Sequence, residues 1–355
     1  MPLTRRTLLL TAGATLLPTP SLTQTLAPDV AERLTLGHQA GLLDGLHSVL
    51  VLQNGETALE AYFPGTDENW GRPLGTVDHG PETLHDLRSV SKSITSLLYG
   101  IALANGDVPP PEAPLLDAFP QYPDLTEDPA RASWTIAHAL NMTLGTEWNE
   151  DLPYTDPANS EIAMEQAPDR YRFILDRPIV TEPGTAWTYN GGCTALLGYL
   201  IEQGTGQRLD AFAQQALFTP LGIDTFDWNA GPDGTISAAS GLRLTAPGLA
   251  RIGEAVRTGN DILPQSWLDR CMTPQTQTSF GLGYSHQWYL GRQPVPATGD
   301  WKQTLFAQGN GGQRLYVIPD LNLTAVTFSG NYNTDDQWLN PTLVLRKIVL
   351  AGIEA

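Results

Sequence analysis

The sequence predicts an α/β protein of the α+β type, in which an antiparallel sheet is flanked by helices and a helical subdomain is inserted. Three observations carry this prediction: hairpin-like segments stand near both chain ends, strand signals are scarce between about 109 and 244, and helical runs fill that middle part. We therefore expect one catalytic domain from 28 to 355, with its α/β part at about 28–108 and 245–355 and its helical insert at about 109–244. A cleft is expected where the two parts meet.

The hairpins are indicated by strand-forming runs on both sides of turn residues. Residues 48–52 and 57–63 flank an Asn-Gly dipeptide, which favours a tight antiparallel turn. Residues 314–318 and 323–328 flank a segment that contains proline, aspartate and asparagine. Both ends of the chain should therefore contribute antiparallel strand pairs.

Helical periodicity and stop signals predict the other elements. One helix follows Lys92 and ends at an Asn-Gly pair near residue 106. The remaining predicted helices cover residues 30–43, 136–140, 195–203, 209–217 and 340–351.

Composition restricts the classes of function that the chain can have. Its 355 residues are 41% hydrophobic and include nine tryptophans, which fits a folded protein of one or two domains and excludes wholesale disorder. The formal charge of −18 opposes binding to nucleic acid or to anionic membrane surfaces, and it disfavours anionic substrates. The oligomeric state stays open.

The first residues differ in kind from the rest. An arginine pair, Arg5 and Arg6, precedes an apolar stretch from 8 to 17 that is too short to span a bilayer. This pattern is typical of a twin-arginine export signal, so we assign residues 1–27 to a signal peptide and expect a periplasmic or secreted protein. A disordered cytoplasmic tail is the alternative.

Cysteine and histidine spacing gives no indication of a metal or of a cofactor. The two cysteines, Cys193 and Cys271, are expected to be free, buried thiols, although sequence alone leaves a disulfide open. The chain has no Cys-x-x-Cys or His-Glu-x-x-His spacing among its two cysteines and six histidines. We therefore predict no metal site and no cofactor.

The feature richest in chemistry is the segment from Ser89 to Lys92. Only three lysines occur, against seventeen arginines, and this one stands three residues after a serine at the start of an apolar helix. Residues three apart on a helix share a face, so the two side chains should touch. Burial would favour the neutral amine, which could then take the serine proton. A solvated lysine near a helix start is the alternative.

Together with a second segment, this pair resembles the penicillin-recognising serine hydrolases, which include class C beta-lactamases, D-Ala-D-Ala carboxypeptidases and related esterases. The second segment runs from Pro183 to Gly192 and contains Tyr189 at the position of the catalytic tyrosine. The resemblance implies a beta-lactamase/transpeptidase-like fold and an acyl-enzyme on Ser89, with Lys92 and Tyr189 as the acid/base pair. A phenol beside an ammonium group should have a lowered pKa.

A third segment, residues 306–313, is similar to the strand edge that lines the site in this superfamily. The resemblance implies an oxyanion hole formed by the backbone N–H groups of Ser89 and Asn310, with Gly309 and Gly311 in contact with substrate. A glycine-rich loop without a chemical role is the alternative.

Two departures from the superfamily pattern bear on the substrate. Ala307 stands where beta-lactamases carry the lysine of Lys-Thr-Gly, so the cation expected to bind a substrate carboxylate is missing there. The Tyr-x-Asn pattern becomes Tyr189-Asn190-Gly191, so Asn190 is a candidate substrate contact. Both changes point to an esterase or amidase for small neutral or cationic substrates, close to the 6-aminohexanoate-dimer hydrolase and esterase branches.

The loop from Glu147 to Pro157 combines aromatic residues with carboxylates and is a candidate lid. We expect substrate contacts from Trp148, Glu150 and Tyr154, and a solvated surface loop is the alternative. Three other functions stay open: a class C-like beta-lactamase, a D-Ala-D-Ala carboxypeptidase, and a non-catalytic exported binding protein on the same fold. A Ser-His-Asp hydrolase is disfavoured because no Gly-x-Ser-x-Gly segment occurs.

Overall fold

The computed structural model describes residues 24–354. Within them, an eight-stranded sheet in which every pair is antiparallel has the strand order β2-β1-β13-β12-β11-β10-β9-β8. Two small sheets, β3-β4 and β5-β7-β6, lie beside it. The strands are β1 (Leu46–Gln53), β2 (Glu56–Tyr62), β3 (Gly65–Asn69), β4 (Arg72–Val77), β5 (His85–Asp86), β6 (Phe226–Trp228), β7 (Leu242–Leu244), β8 (Thr276–Gln277), β9 (Gly283–Ser285), β10 (Trp288–Val295), β11 (Asp300–Gly309), β12 (Gln313–Ile318) and β13 (Leu323–Ser329).

Both predicted hairpins are confirmed, and they lie side by side as the four strands at one end of this sheet. Strand β1 pairs with β2 on one side and with β13 on the other. Strand β13 in turn pairs with β12. The two ends of the chain therefore build one sheet, and the predicted fold class is confirmed.

The described helices surround the sheet and fill the middle of the chain. They are α1 (Val30–Gln39), α2 (Val90–Asn105), α3 (Pro129–Ala132), α4 (Ile136–Leu140), α5 (Ser160–Gln166), α6 (Arg170–Leu175), α7 (Gly191–Thr205), α8 (Leu209–Ala213), α9 (Ala246–Thr258), α10 (Gln265–Cys271) and α11 (Leu339–Leu343). Helix α8 continues as a wider π turn over Gln214–Phe218, and α11 continues in the same way over Val344–Val349. The predicted helix at 30–43 ends four residues early, because Gly41 adopts a φ of 71° that no helix can continue.

Helix α2 lies at the centre of the fold and positions the site. Its residues from Val90 to Ala102 are all buried, and α2 packs against both α7 and the strands β11 and β12. At Gly100 an added Cβ would lie 2.3 Å from the indole of Trp267, so this close packing requires glycine. Because the helix is fixed on all sides, the side chains at its first turn have little freedom to move.

The amino-terminal end of the described chain packs against the carboxyl-terminal end. The backbone N–H of Ala27 donates to Gly352, and that of Glu354 donates to Thr25. Residues 24–27, which we assign to the end of the predicted signal peptide, thus contact the carboxyl-terminal end in this structure, and the position of the cleavage site stays a prediction. The arginine pair and apolar stretch of the predicted export signal lie outside the described residues.

Two further findings concern the cysteines and the helices. Cys193 and Cys271 are both free and buried, as predicted. Over residues 24–354, none of the helices combines the length and the apolar character needed to cross a bilayer.

Candidate active site

Ser89 and Lys92 meet at the start of α2, as their spacing predicts. Ser89 is the residue that precedes the first turn, and its Oγ lies 3.1 Å from Nζ of Lys92. The lysine side chain is only 2% exposed. Arg88, immediately before the serine, adopts a left-handed φ of 48°, which is uncommon for a residue with a Cβ.

Glu161 is a member of the site that sequence reasoning missed. Its Oε2 accepts a hydrogen bond of 3.0 Å from Lys92 Nζ, and both side chains are buried. Nζ also donates to the carbonyl oxygen of Ala239 at 3.1 Å. No local signal marks Glu161 as a partner of Lys92, because 69 residues separate them. In the structure it stands at the start of α5, which Asn159 caps.

This carboxylate reverses the expected state of the lysine. Burial by itself lowers the pKa of Lys92, but the negative charges of Glu161 and Glu150 outweigh burial and leave that pKa above its ordinary value. The prediction of a neutral amine is therefore wrong for the resting protein, in which Lys92 is an ammonium ion.

Glu150 completes a buried acidic pair beside the lysine. Its carboxyl accepts hydrogen bonds from the indole of Trp148 at 2.6 Å, from the hydroxyl of Tyr154 at 2.9 Å and from the backbone of Gly191. Burial and the charge of Glu161 raise the pKa of Glu150 to about 8. Both carboxyls lie beside Gly191, and a proton on Glu150 removes the repulsion between them. Glu150 therefore holds a proton at neutral pH.

Tyr189 lies beside the lysine and lines the same cleft as Ser89. Its ring centroid is 5.0 Å from Lys92 Nζ. Burial and the surrounding Tyr289 and glutamates hold the pKa of Tyr189 well above its ordinary value. The predicted lowering of this pKa by the ammonium group is therefore wrong, and Tyr189 is a neutral phenol that can donate a proton.

The departure from the Tyr-x-Asn pattern places glycine at position 191 and the amide at Asn190. The glycine has a steric explanation. A Cβ at Gly191 would lie 2.3 Å from Oε2 of Glu161 and 3.1 Å from Oε1 of Glu150, so only glycine leaves room for the acidic pair. The neighbouring Asn190 is 2% exposed, and its Oδ1 accepts a hydrogen bond from the backbone of Cys193, which caps α7.

The end of β11 forms the opposite wall. Gly309 passes so close to the carbonyl of Leu87 that a Cβ would lie 2.3 Å from its oxygen. The side chain of Asn310 is held by Asn333, whose backbone N–H donates to Asn310 Oδ1 at 2.9 Å. Gly311 adopts a φ of 89°, and its N–H donates to Gln337.

A second cation, Arg314, lies on this wall. It stands on β12 opposite Gln308, so both side chains point to the same side of the sheet. Ala307 leaves no cation at its own position, as the sequence indicates, but the guanidinium of Arg314 lines the same cleft. Among the described residues, no carboxylate forms a salt bridge with it, and Nη1 donates to the carbonyl of Gln313 at 2.8 Å.

Ser89 stands between two halves of an open cleft. One half, of about 960 Å³, is lined by Trp70, Arg88, Tyr154, Glu161 and Ile162 among others. The other half, of about 1160 Å³, is lined by Glu150, Tyr189, Tyr289, Gly309 and Arg314 among others. Ser89, Tyr154 and Asn310 border both halves.

Three of the sequence-predicted contacts lie elsewhere in this arrangement. Trp148 is 8% exposed and holds Glu150 from behind. Asn190 and Gly311 are likewise not among the residues that line either half of the cleft. Direct substrate contact by these three residues stays a prediction.

Comparison with known proteins agrees with this geometry. The chain is 25% identical over 315 residues to the 6-aminohexanoate-dimer hydrolase of Paenarthrobacter ureafaciens, a match that covers 79% of this chain and 71% of that protein. It is 26% identical to esterase EstB of Burkholderia gladioli over 49% of this chain and 44% of that one. The structure superposes on EstCE1, described as a hydrolase with promiscuous acyltransferase activity, with a TM-score of 0.71, 17% identity, and coverage of 89% of this chain and 98% of that chain.

A family model gives the widest agreement. The model of the beta-lactamase family matches residues 38–344, which include both chain ends of the sheet and the whole helical middle. The resemblance drawn from the serine, lysine and tyrosine segments is thereby confirmed. The chain belongs to the beta-lactamase family, and it is an enzyme of the hydrolase class.

Proposed function

We propose that this protein is a serine hydrolase that forms an acyl-enzyme on Ser89 and cleaves ester or amide substrates. The observation that carries the proposal is the position of the Ser89 hydroxyl, which lies 3.1 Å from Lys92 Nζ where the two halves of the cleft meet, in a cleft that Tyr189 also lines. A nucleophile with a proton acceptor and a proton donor in the same cleft is the arrangement that acyl transfer requires.

The protonation states suggest a route for the proton. Oγ of Ser89 attacks the substrate carbonyl carbon, and its proton passes to Lys92 as Lys92 releases one of its own protons to Glu161. Tyr189 donates its phenol proton to the leaving oxygen or nitrogen, and it is reprotonated from Lys92, which recovers its proton from Glu161. Burying two charges costs free energy. In this buried pair the form with a neutral lysine and a protonated glutamic acid is therefore close in free energy to the charged form. A water molecule then cleaves the acyl-enzyme through the same groups.

The developing oxyanion needs donors that are already in place. We assign this role to the backbone N–H groups of Ser89 and Asn310. Two features support it: Ser89 stands at the positive end of α2, and the side chain of Asn310 is anchored by Asn333.

The test of the nucleophile is covalent labelling. A fluorophosphonate probe should add one adduct to the folded protein, the adduct should map to Ser89, and Ser89→Ala should abolish it. Ser279→Ala is the matched control, because Ser279 lines the same cleft and should leave labelling intact. Folded wild-type protein without an adduct would refute the proposal.

The same variant separates an enzyme from a binding protein on this fold. If the chain only captured its ligand, Ser89→Ala would keep full affinity and the wild type would release no product from any ester. We expect the wild type to hydrolyse short p-nitrophenyl esters and Ser89→Ala to be inactive.

Two relatives favour ester and amide substrates over β-lactams, because one is named a 6-aminohexanoate-dimer hydrolase and another an esterase. A class C-like beta-lactamase or a D-Ala-D-Ala carboxypeptidase is the alternative, although the lysine of Lys-Thr-Gly is replaced by Ala307. Turnover of nitrocefin that exceeds ester turnover would reverse this preference.

Arg314 changes the expected charge of the substrate. A buried guanidinium that no carboxylate neutralises among the described residues favours a substrate with its own carboxylate, in contrast to the neutral or cationic substrates predicted from Ala307. For a matched pair of amides that differ only in a free or methylated carboxyl group, Arg314→Gln should raise the KM of the free acid by about 10-fold or more. Arg292→Gln, on β10 outside the cleft, is the control. Equal effects on both amides would remove the assignment.

We further propose that the protein is exported, which the arginine pair at the start of the sequence supports. Replacing Arg5 and Arg6 together by lysine should prevent its appearance in the periplasm or medium, and an unchanged distribution would refute a twin-arginine route.

A further inference from the structure

Three of the six histidines of this chain lie around one aspartate, in segments that precede Ser89 in the sequence. His47 lies on β1, Asp67 on β3, His79 after β4 and His85 on β5. One ligand atom from each of these four residues lies within 4.8 Å of the other three. Three of the side chains are almost completely buried and His79 is half-buried. We propose that this histidine cluster is a binding site for a single Zn²⁺ ion.

The hydrogen bonds orient the donors inward. Nδ1 of His85 lies 3.1 Å from the carbonyl of Asp86, so it carries the proton and Nε2 is the acceptor of the ring. That Nε2 accepts a hydrogen bond of 2.9 Å from Nδ1 of His47 and lies 3.7 Å from Oδ1 of Asp67, so an ion at this point would replace the proton between the two rings. Metal-binding histidines typically donate their other ring N–H to a carbonyl in this way.

The aspartate is held by a similar outer contact. The hydroxyl of Tyr332 donates to Oδ1 of Asp67 at 2.9 Å, which leaves Oδ2 for another partner.

Unpartnered atoms are the second, independent observation. Nε2 of His47, Nε2 of His79 and Oδ2 of Asp67 are buried without a hydrogen-bond partner. Buried polar atoms without partners are rare in folded proteins, since each costs about 1–3 kcal/mol. Nε2 of His47 lies against Gly65 and Gly330, so Nδ1 is the ligand atom of that ring. The other two unpartnered atoms, on His79 and Asp67, indicate that the cluster is built around a cation.

Two residues that pack against this cluster are glycines, and a larger side chain at either position would collide with it. A Cβ at Gly65 would lie 2.4 Å from Nε2 of His47, and one at Gly330 would lie 2.5 Å from Cε1 of the same ring. Two glycines thus confine the ring of His47. This close packing fixes the ring as a rigid ligand.

The donor set selects the metal. Three imidazole nitrogens and one carboxylate oxygen fit tetrahedral Zn²⁺, with bonds of about 2.0–2.2 Å. The four donors would then be about 3.3–3.5 Å apart by tetrahedral geometry with those bonds, so the more distant ligand atoms move inward by about 1 Å on binding. Rotation of the half-buried His79 can supply much of this movement.

The position of the site suggests what the ion would do. It would tie the main sheet, through His47, to the β3-β4 hairpin, through Asp67, and to His85, four residues before the nucleophile. Residues 68, 70 and 71 of that hairpin line one half of the catalytic cleft. The ion would therefore brace a wall of the cleft, and it would take no part in proton transfer.

The test uses full-length, tag-free protein stripped with a chelator. Competition against a chromogenic zinc indicator should show one Zn²⁺ per chain, and Co²⁺ should give the intense visible absorption of a tetrahedral site. Asp67→Asn and His79→Gln keep side-chain volume, and each should weaken Zn²⁺ binding by more than the ~10–100-fold that loss of an outer hydrogen bond to a ligand costs. His138→Gln and His286→Gln, which lie outside the cluster, are the controls and should bind as the wild type does.

Either of two results would overturn the proposal. One is a folded wild-type protein that takes up less than one equivalent of Zn²⁺. The other is uptake that Asp67→Asn and His79→Gln leave unchanged. Circular dichroism and thermal melting of each stripped variant distinguish loss of the site from loss of the fold, and Ser89 labelling is a separate readout, so failure of either proposal leaves the other intact.

Discussion

Two buried polar clusters flank the segment that carries Ser89, the proposed nucleophile, and their polar atoms are satisfied in opposite ways. In the catalytic cluster, Lys92 is paired with Glu161, and Glu150 has hydrogen-bond donors on both oxygens. In the histidine cluster, three side-chain atoms have no partner. The catalytic cluster is complete within the protein, whereas the histidine cluster lacks a positive charge.

The difference teaches how a fold keeps polar groups inside. Burying charges is tolerated when opposite charges and hydrogen bonds compensate them, and the catalytic cluster meets this condition with one ammonium, one carboxylate and one protonated carboxyl. A cluster of neutral imidazoles around one carboxylate does not balance its own charge, and the proposed Zn²⁺ would supply the compensating charge.

The largest expected effect comes from removing the only cation of the catalytic cluster. Lys92→Met should lower kcat/KM for an ester by about 10²–10⁴-fold, because the serine loses its proton acceptor. The other two lysines provide controls: Lys302→Met and Lys347→Met lie outside the cleft and should leave kcat/KM unchanged. Steady-state kinetics check this, and activity of Lys92→Met within a few-fold of the wild type would contradict the assigned role.

The second prediction tests the pairing with Glu161. In the proposed relay the active form is the ammonium of Lys92 paired with the carboxylate of Glu161, whose pKa stays below its ordinary value despite burial because of the lysine charge, so protonation of this carboxylate sets the acid limb of the wild type. Without that carboxylate only enzyme with a neutral Lys92 can accept the serine proton, so in Glu161→Gln the acid limb of the pH profile of kcat/KM should move to higher pH by about one unit or more, and the plateau should fall.

The matched control for this experiment stands one turn away on the same helix. Glu165 is also buried, but it pairs with Arg170 and Ser237 rather than with Lys92. Glu165→Gln should leave the position of the acid limb unchanged. An acid limb that stays in place in Glu161→Gln would mean that Glu161 does not set it.

The third prediction concerns stability and pH. The pKa of Glu150 is raised from its ordinary value of 4.5 to about 8, so the folded protein holds this proton over a range in which the unfolded chain has lost it. Its contribution to stability is complete below the lower value and is lost as pH rises through the higher one. Relative to the wild type, the free energy of unfolding of Glu150→Gln should therefore increase between about pH 5 and 8, by at most ~1.4 kcal/mol per pH unit.

Urea denaturation at several pH values measures this difference. Glu147→Gln, on the exposed part of the same loop, should show no such trend. A difference between Glu150→Gln and the wild type that stays constant over this range would show that Glu150 is ionised in the folded protein.

The parts of the molecule that the sequence predicts are those determined by neighbours along the chain. The Asn-Gly turn after β1 and the contact of Ser89 with Lys92 both follow from local geometry. The family could be recognised because its segments are short and contiguous, and the match over residues 38–344 confirms it.

The parts that sequence reasoning missed depend on residues far apart in the chain. Glu161 reaches Lys92 across 69 positions, and its charge determines that lysine's protonation state. Gly191 could be seen as a departure from the family pattern, but its reason, the space taken by two glutamates, is visible only in three dimensions. The sequence gives no sign of the histidine cluster. Metal ligands are recognised in a sequence when they are closely spaced, whereas His47 and His85 are 38 residues apart.

The smallest expected effect tests whether the two clusters are coupled. Arg88 lies between them: its guanidinium pairs with Glu68 and Asp86 and stands 4.9 Å from the ring centroid of Tyr332, which donates to Asp67. Arg88→Ala removes contacts on both sides, so it should lower kcat/KM and Zn²⁺ affinity together, each by about 3–10-fold, as expected for loss of a contact worth ~1 kcal/mol. Arg243→Ala also breaks a pair with Asp86, but Arg243 is not among the residues that line the cleft, so this control should lower the melting temperature and leave kcat/KM unchanged. If Arg88→Ala affects only one of the two measurements, the clusters are energetically independent. The segment at Arg88 and Ser89 would then place them close together without coupling their energies.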